Sequence, residues 1–383
     1  MDIKKIDKEV NKAVRLIRRG YNREYIIEKI NSVYFDREKI FEIAKCRIKA
    51  RKKFGELAEK LFFDEEGLRY ATPPIVADYR ARRIKGDVVA DICCGVGMQL
   101  IYFSKYAEKA VGIEIDCFRA KLAMLNAVAM DAKIKIIKGD ALSKKIFDKI
   151  NADCIFCDPS RKEKEEKRKF ETLLPNPMKV YSLYSSKTDR IAFELPPQIS
   201  REEIKIEGEK EYTSLNFNLN RLALYTGELA ECDTSAVSLP SEERITDLDE
   251  KMKLKKTDKA LEYIYEVDRT IIKAGLLENL TGKIGFNGYI IQIDKRRGLL
   301  TSSSEYKSAF LRKYEVVAKC NFDYHKLNRI LKKLGARKAT LRFSVEPEKY
   351  WEIRKKIEEG LEGEKHFYIF KVGNKVLVAK QII

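Results

Sequence analysis

Asp91-Ile92-Cys93-Cys94-Gly95-Val96-Gly97 joins a short apolar run to a segment with helical spacing. The apolar run, residues 87–92, is typical of a strand buried on both faces of a parallel sheet. In residues 98–107 the apolar side chains recur at the spacing of a helix. Because Gly95 and Gly97 lack a Cβ, a ligand can approach the main chain of the turn closely. Together these features predict the start of a nucleotide-type βαβ unit.

Two common nucleotide motifs are absent from this turn. The dinucleotide fingerprint requires a third glycine where Leu100 stands, and no Gly-Lys-Ser/Thr follows to bind phosphate. The remaining pattern, Asp-x-x-x-Gly-x-Gly, resembles the first motif of class I S-adenosylmethionine (SAM) methyltransferases. Taken alone, the segment is equally compatible with a strand, turn and helix that bind no ligand.

Acidic residues at the ends of the next predicted strands favour a nucleoside ligand. These strands end in Glu114, Asp140 and Asp158. In open α/β sheets, ligands bind outside the carboxyl ends of the strands. A carboxylate at Glu114 can accept hydrogen bonds from both hydroxyls of a ribose, and Asp140 can accept from an adenine amino group.

Residues 70–197 resemble the class I methyltransferases. The resemblance implies an α/β, Rossmann-like core of seven strands with the last pair antiparallel, and SAM as the cofactor. The cofactor-binding residues that it implies are Asp91, Cys93, Gly95 and Gly97 at the methionine end, Glu114 at the ribose, Asp140 at the adenine, and Asp158.

The segment before the glycine turn, residues 63–74, is similar to the Glu-Gly-…-Thr-Pro-Glu segment of trimethylguanosine synthases. In that family the segment helps to close the cofactor site. The similarity therefore implies that Thr72 also lies at the cofactor.

Asp158-Pro159-Ser160-Arg161 is the expected acceptor motif. In exocyclic-amine methyltransferases, the similar motif is Asp/Asn/Ser-Pro-Pro followed by an aromatic residue whose ring stacks on the base. This chain has neither the second proline nor the aromatic residue. Arg161 can stack its guanidinium on a base or bind a phosphate, and Tyr181 or Tyr184 is the alternative source of a ring. The catalytic residues predicted from the motif are Asp158, Pro159 and Arg161.

The composition favours a polyanionic partner. Among 383 residues, 77 Lys and Arg outnumber 59 Asp and Glu, giving a net charge of +18. The charge-rich surface of a heat-adapted protein would explain many charges of both signs but not this excess. Nucleic acid is therefore the predicted partner.

The eight cysteines show no paired CxxC spacing, and only two histidines are present. We therefore expect neither a metal site nor a catalytic histidine. Residues 1–5 show no signal peptide, and no apolar run approaches the ~18 residues of a membrane span. A cytoplasmic protein with reduced thiols and no membrane association is expected.

The chain is predicted to comprise a helical region (1–69), a methyltransferase domain (70–245), a linker or helical connection (246–312) and an α+β module (313–383). The first region contains a basic run that is either an RNA-contacting arm or a solvated helix face. Its residues are Lys45, Arg47, Lys49, Arg51, Lys52 and Lys53.

Residues 263–276 and 289–303 resemble uncharacterised methyltransferases that carry a C-terminal THUMP-like domain. The last region predicts the order β-α-β-α-β-β. THUMP-type modules bind structured RNA, and the resemblance implies the same activity here; a dimerisation or packing module is the alternative.

The sequence thus predicts a SAM-dependent methyltransferase that acts on tRNA or rRNA, at an exocyclic base amine such as guanine N2. Two alternatives remain open. One is an RNA-binding or assembly protein that kept the fold without turnover, and the other is a methyltransferase with a protein or small-molecule acceptor. The sequence does not fix the oligomeric state.

Overall fold

A computed structural model describes residues 1–160, 169–294, 297–343 and 345–382 of the chain. Its contacts divide the chain into two compact units. The first comprises Met1–Lys210 and Arg221–Glu231, and the second comprises Glu211–Asn220 and Cys232–Ile383. Across the described ranges, no helix has the length and apolar character that crossing a bilayer requires.

The first unit begins with helices whose amino ends are capped by polar side chains. Asp2, Asn22 and Asp36 each accept a backbone N–H from the first turn of the helix that follows. Gly55, with a φ of 57°, ends the third helix at Phe54, immediately after the basic run. The helices are α1 Ile3–Arg18, α2 Arg23–Lys29, α3 Arg37–Phe54, α4 Glu65–Tyr70 and α5 Pro74–Arg83.

The rest of the first unit alternates strands with helices. The elements are β1 Val88–Asp91, α6 Met98–Phe103, β2 Lys109–Glu114, α7 Cys117–Ala129, β3 Ile134–Lys138, α8 Lys144–Phe147, β4 Cys154–Cys157, α9 Pro177–Tyr184 and β5 Ile191–Leu195. A hairpin of β6 Glu209–Leu215 and β7 Leu219–Tyr225 follows, and the division between the units falls within it.

The strands β1 to β5 are parallel and lie in the order β3-β2-β1-β4-β5, and β7 pairs antiparallel with β5. The predicted Rossmann-like core is therefore confirmed. The chain order of the strands reverses between the neighbours β1 and β4, where a ligand crevice is expected. All residues of β4 are buried, which explains its apolar sequence.

The second unit contains an eight-stranded sheet in the order β10-β12-β13-β11-β14-β17-β16-β15, together with the antiparallel pair β8 and β9. Its C-terminal part has the predicted β-α-β-α-β-β order, from β14 to β17, and α12 and α13 bury their apolar side chains against it. The elements are β8 Thr234–Leu239, β9 Glu243–Thr246, β10 Lys255–Lys256, β11 Tyr263–Val267, α10 Arg269–Ala274, α11 Leu277–Lys283, β12 Tyr289–Ile293, β13 Gly298–Ser302, β14 Leu311–Asn321, α12 Tyr324–Lys333, β15 Ala336–Leu341, α13 Pro347–Glu358, β16 Lys365–Val372 and β17 Lys375–Ile382.

Candidate active site

A cavity of about 410 Å³ opens at the carboxyl ends of the parallel strands in the first unit. This volume lies within the range of pockets that hold a small-molecule cofactor. Most of the predicted site residues line it: Thr72, Asp91, Cys93, Gly95, Glu114, Asp140, Asp158 and Pro159. Gly97 is outside the described lining, and Arg161 lies outside the described residues.

The two glycines of the turn serve different purposes. Gly95 has a φ of 52°, and a Cβ built there would meet no atom within 4 Å, so the main chain borders open space. Gly97, with a φ of 82°, caps the amino end of α6. A Cβ at Gly97 would lie 3.1 Å from the Cβ of Ala123 on α7. Gly95 therefore leaves room for a ligand, whereas Gly97 lets two helices pack closely.

Glu114 is the acid at the end of β2, and it is only 7% exposed. Its Oε2 accepts from the Gly95 N–H and its Oε1 from the Asp116 N–H, both at 2.8 Å. Burial raises the pKa of this carboxyl group above its ordinary value. The two backbone bonds fix the carboxylate against the turn, and each oxygen keeps a further lone pair for a ligand.

Asp91 lies at the end of β1 and is 1% exposed. Its Oδ1 accepts from the Cys93 N–H at 3.1 Å. Burial raises the pKa of Asp91 to about 7. A carboxyl group in this environment gains from a bound cation or hydrogen-bond donor, because either would stabilise its charged form.

Cys93 follows Asp91 and faces a second thiol. Its Sγ lies 3.8 Å from the Sγ of Cys157 at the end of β4. The hydrogen bond to Cys157, together with burial, raises the pKa of Cys93 well above its ordinary value. The protonated thiol is a poor nucleophile, so Cys93 contributes to the wall of the cavity rather than to covalent chemistry.

Asp140 and Thr72 lie at different parts of the cavity lining. Asp140 is exposed, and its Oδ1 accepts from the Leu142 N–H at 2.9 Å, which orients the carboxylate in the loop after β3. Thr72 is 4% exposed and lies between α4 and α5. Both residues therefore border the space that a ligand would occupy.

Asp158 follows β4, the strand that pairs with β1 and its Asp91, and it is partly exposed. Within the described ranges, no hydrogen bond or ion pair engages its carboxyl group. Burial, and then the negative charge of Glu194, raise the pKa of Asp158 well above its ordinary value. The positive charges of Arg221 and Arg80 act in the opposite direction. A carboxyl group that lines a cavity without a hydrogen-bond partner can accept a hydrogen bond from a ligand.

Glu194 on β5 is held by arginines from α5 and β7. Its Oε2 lies 2.5 Å from Arg80 Nη1, and its Oε1 lies 2.7 Å from Arg221 Nη1. Glu194 and Arg80 are 3% and 2% exposed, and the Arg80 guanidinium also lies over the ring of Phe156 at 5.0 Å. The two arginines of this network lower the pKa of Asp158, whereas the charge of Glu194 raises it.

Comparisons with known proteins place the chain among methyltransferases. The family model of RNA cap guanine-N2 methyltransferases matches residues 86–258. Two uncharacterised SAM-dependent methyltransferases of Mycobacterium tuberculosis, strains CDC 1551 / Oshkosh and ATCC 25618 / H37Rv, are 28% identical over 305 residues, which cover 77% of this chain and 82% of each relative. The chain is a class I SAM-dependent methyltransferase.

A solved structure supports the fold of the methyltransferase. A crystal structure from Porphyromonas gingivalis W83, provisionally described as a methyltransferase, matches it with a TM-score of 0.79. The match covers 100% of both chains at 20% identity. At this identity the likeness extends to the fold and not to the acceptor.

Several charged groups at the methyltransferase site were not predicted from the sequence. Glu194 had a signal, because it is a charged residue among apolar neighbours on a fully buried strand. Arg80 is flanked by other charged residues and had no such signal. Arg221 and Lys53 had none. Lys53 Nζ donates to the carbonyl oxygens of Leu68 and Arg69 at 3.0 and 3.2 Å, and burial lowers the pKa of Lys53 to about 8.

Two expectations about side chains in the methyltransferase were wrong. Tyr184 cannot stack on a base, because it is 0% exposed and its hydroxyl donates to the Ala141 carbonyl oxygen at 2.8 Å. One member of the basic run of α3 lies neither on a solvated face nor where RNA could reach it. Arg47 is 2% exposed and pairs with Asp7 at 2.6 Å, because its guanidinium packs between α1 and α3.

Proposed function

We propose that this methyltransferase transfers a methyl group from SAM to an exocyclic base amine of tRNA or rRNA, such as guanine N2. The observation that carries the proposal is the Asp158 carboxyl group, which borders the cavity without a partner in the described part of the chain. An amine N–H is a suitable donor to such a group. The description of the matching family, guanine-N2 methyltransferase, supports this choice of amine.

The polar groups that line the cavity fit SAM. We assign the ribose hydroxyls to Glu114, which is already oriented by the turn, and the adenine to Asp140. Gly95 allows the methionine end to approach the main chain, and Asp91 lies beside it. Thr72 and Cys93 complete the wall. SAM supplies an electrophilic methyl group, and the protein contributes chiefly by aligning the two reactants in a cavity with little water.

Asp158 has two roles in this proposal. Its carboxylate accepts one N–H of the acceptor amine, so that the nitrogen lone pair faces the methyl group, with Pro159 fixing the adjoining main chain. The new C–N bond forms as the bond between sulfur and the methyl group breaks, which leaves a neutral thioether. The nitrogen thereby becomes acidic, and its proton passes to the carboxylate. Only the ionised form of Asp158 can act in this way. Arg221 and Arg80, which lower its pKa, therefore favour catalysis.

The charge distribution supports RNA as the acceptor. Lys49, Arg51 and Lys52 are exposed on the last turns of α3, and the chain carries a net charge of +18. Exposed lysines and arginines also lie on α12 and β15. On α12 they lie opposite the buried Leu327 and Leu331. We infer that both regions bind phosphate groups, with residues 313–383 serving as an RNA-binding module of the THUMP-like type.

The acceptor class is tested with labelled SAM and total RNA from a strain that lacks the gene. After transfer, the RNA is digested to nucleosides and the labelled nucleoside is identified by mass spectrometry. We expect label in N2-methylguanosine. Label only in protein or in small molecules would refute the proposal and assign that acceptor class. SAM binding without transfer to any fraction would indicate an RNA-binding protein that has kept the fold.

A further inference from the structure

The acceptor motif of this chain lacks the aromatic residue that would stack on a base. Ser160 stands in place of the second proline and Arg161 in place of the aromatic residue. Stacking on an aromatic ring stabilises a bound base by roughly 1–3 kcal/mol. A base that must leave its own stack to reach a cavity therefore benefits from a ring elsewhere in the wall.

Among the described residues that line the cavity, the aromatic side chains are those of Tyr70 and Phe156. Phe156 is 1% exposed. The guanidinium of Arg80 lies 5.0 Å from its ring centroid, and the ring of Phe103 packs edge-on at 5.3 Å. Phe156 is therefore part of the floor beneath the site, and a base cannot reach its faces.

Tyr70 has the exposure that a stacking ring requires. It is the last residue of α4, and it is 38% exposed at the cavity. The guanidinium of its neighbour Arg69 lies 5.3 Å from the ring centroid. An aromatic ring beside a guanidinium can bind a base by stacking and the adjoining phosphate by charge.

The position of Tyr70 is set by Lys53. The ammonium group of Lys53 donates to the Leu68 and Arg69 carbonyl oxygens, which immediately precede Tyr70. The charges that act on Lys53 include those of Arg221 and Asp158. Lys53 therefore holds the carboxyl end of α4, and with it Tyr70, at the cavity that Asp158 also lines.

We propose that Tyr70 is the ring on which the acceptor base stacks, and that Lys53 is a positioning residue for it. This inference rests on the proposed function, since it requires a nucleic-acid base as the acceptor. The stacking residue then comes from the segment before the glycine turn, and the amine of the stacked base is presented to Asp158.

The test compares Tyr70→Ala and Tyr70→Phe with the wild type in steady-state transfer to total RNA, together with SAM affinity by calorimetry. We expect Tyr70→Ala to raise the apparent KM for RNA roughly tenfold or more, while SAM affinity is unchanged. Tyr70→Phe keeps the ring and should restore the KM. Tyr106→Ala is the matched control, because Tyr106 is 50% exposed and lies outside the cavity lining.

The possible outcomes separate the two proposals. Absence of wild-type transfer to RNA refutes the proposed function, and with it the stacking role. Wild-type transfer with an unchanged KM in Tyr70→Ala refutes the stacking role alone. Loss of SAM affinity in Tyr70→Ala would also refute it, because the ring would then belong to the cofactor. Lys53→Met should also raise the KM for RNA. An unchanged KM would refute the positioning role of Lys53.

Discussion

Arg80 Nη1 on α5 lies 2.5 Å from Glu194 Oε2 on β5, and both side chains are buried. Their pairing ties a helix of the first unit to the strand beside Asp158. Burying two charges costs free energy that their mutual attraction must offset, so the pair is sensitive to the loss of either partner. The same pair also supplies charges that act on Asp158.

Replacing Arg80 should therefore destabilise the protein strongly. Arg80→Met removes one of the two arginines that pair with the buried Glu194 carboxylate, and we expect a loss of about 3 kcal/mol in the free energy of unfolding by urea. Arg82→Met is the control. Its ion pair with Asp78 is partly exposed, so its loss should cost less than about 1 kcal/mol. Equal losses in the two variants would contradict the structural role given to the buried pair.

Arg221 should control the pH dependence of methyl transfer. Burial and Glu194 raise the pKa of Asp158, and Arg221 opposes that rise. Because only the carboxylate is active, kcat/KM should increase with pH as Asp158 ionises. In Arg221→Met the pKa rises further, so this increase should move to higher pH. Arg190→Met, which alters a pair with Glu228 away from the cavity, should leave the profile in place. A shift to lower pH in Arg221→Met would contradict the assignment.

Glu114 should be required for SAM binding. Glu114→Gln removes the charge and turns an amide N–H toward the backbone donors of Gly95 and Asp116. Charged hydrogen bonds are worth about 1.5–3 kcal/mol, so the SAM Kd should rise roughly 10- to 100-fold in calorimetry. Glu108→Gln, at an exposed position, should bind SAM normally. An unchanged Kd in Glu114→Gln would remove the ribose assignment.

Asp91 should lower the free energy of unfolding of the protein, although it contributes to cofactor binding. Burial raises its pKa from 3.8 to about 7, so between these values the folded state holds more protons than the unfolded state. Wild-type stability should therefore fall as the pH rises through this window and stay low above it. The stability of Asp91→Asn should not decrease in this way, because asparagine does not ionise.

In urea unfolding at about pH 8, the free energy of unfolding of Asp91→Asn should be higher than that of the wild type by about 2–4 kcal/mol. At about pH 4 the difference should be much smaller. Its SAM affinity should be weaker, since the charge that the methionine end meets has been removed. A stability difference that does not vary with pH would contradict the burial of a charge at Asp91.

The core and most of the cavity lining follow from the sequence because both depend on local patterns. A buried strand, a glycine turn and an acid at a strand end are contiguous, as in the segments that end in Asp91 and Glu114. The groups around Asp158 depend instead on long-range packing. Arg80, Glu194 and Arg221 come from separate elements and meet only in the folded chain. No spacing rule could have linked them.

The choice of an aromatic residue shows the same limit. Tyr184 was one of two tyrosines, with Tyr181, that the sequence offered as an alternative source of a ring. Its burial against the Ala141 carbonyl is a tertiary contact. Tyr70, which precedes the glycine turn, borders the cavity because α4 folds back to its rim.

The most direct measurement is methyl transfer to RNA by Asp158→Asn, made beside SAM binding by the same variant. Asn keeps the shape of the side chain but cannot take the proton. We predict SAM affinity close to that of the wild type and transfer to total RNA at least about 100-fold slower. Asp148→Asn, at an exposed position, should transfer normally. Transfer by Asp158→Asn at the wild-type rate would contradict the account.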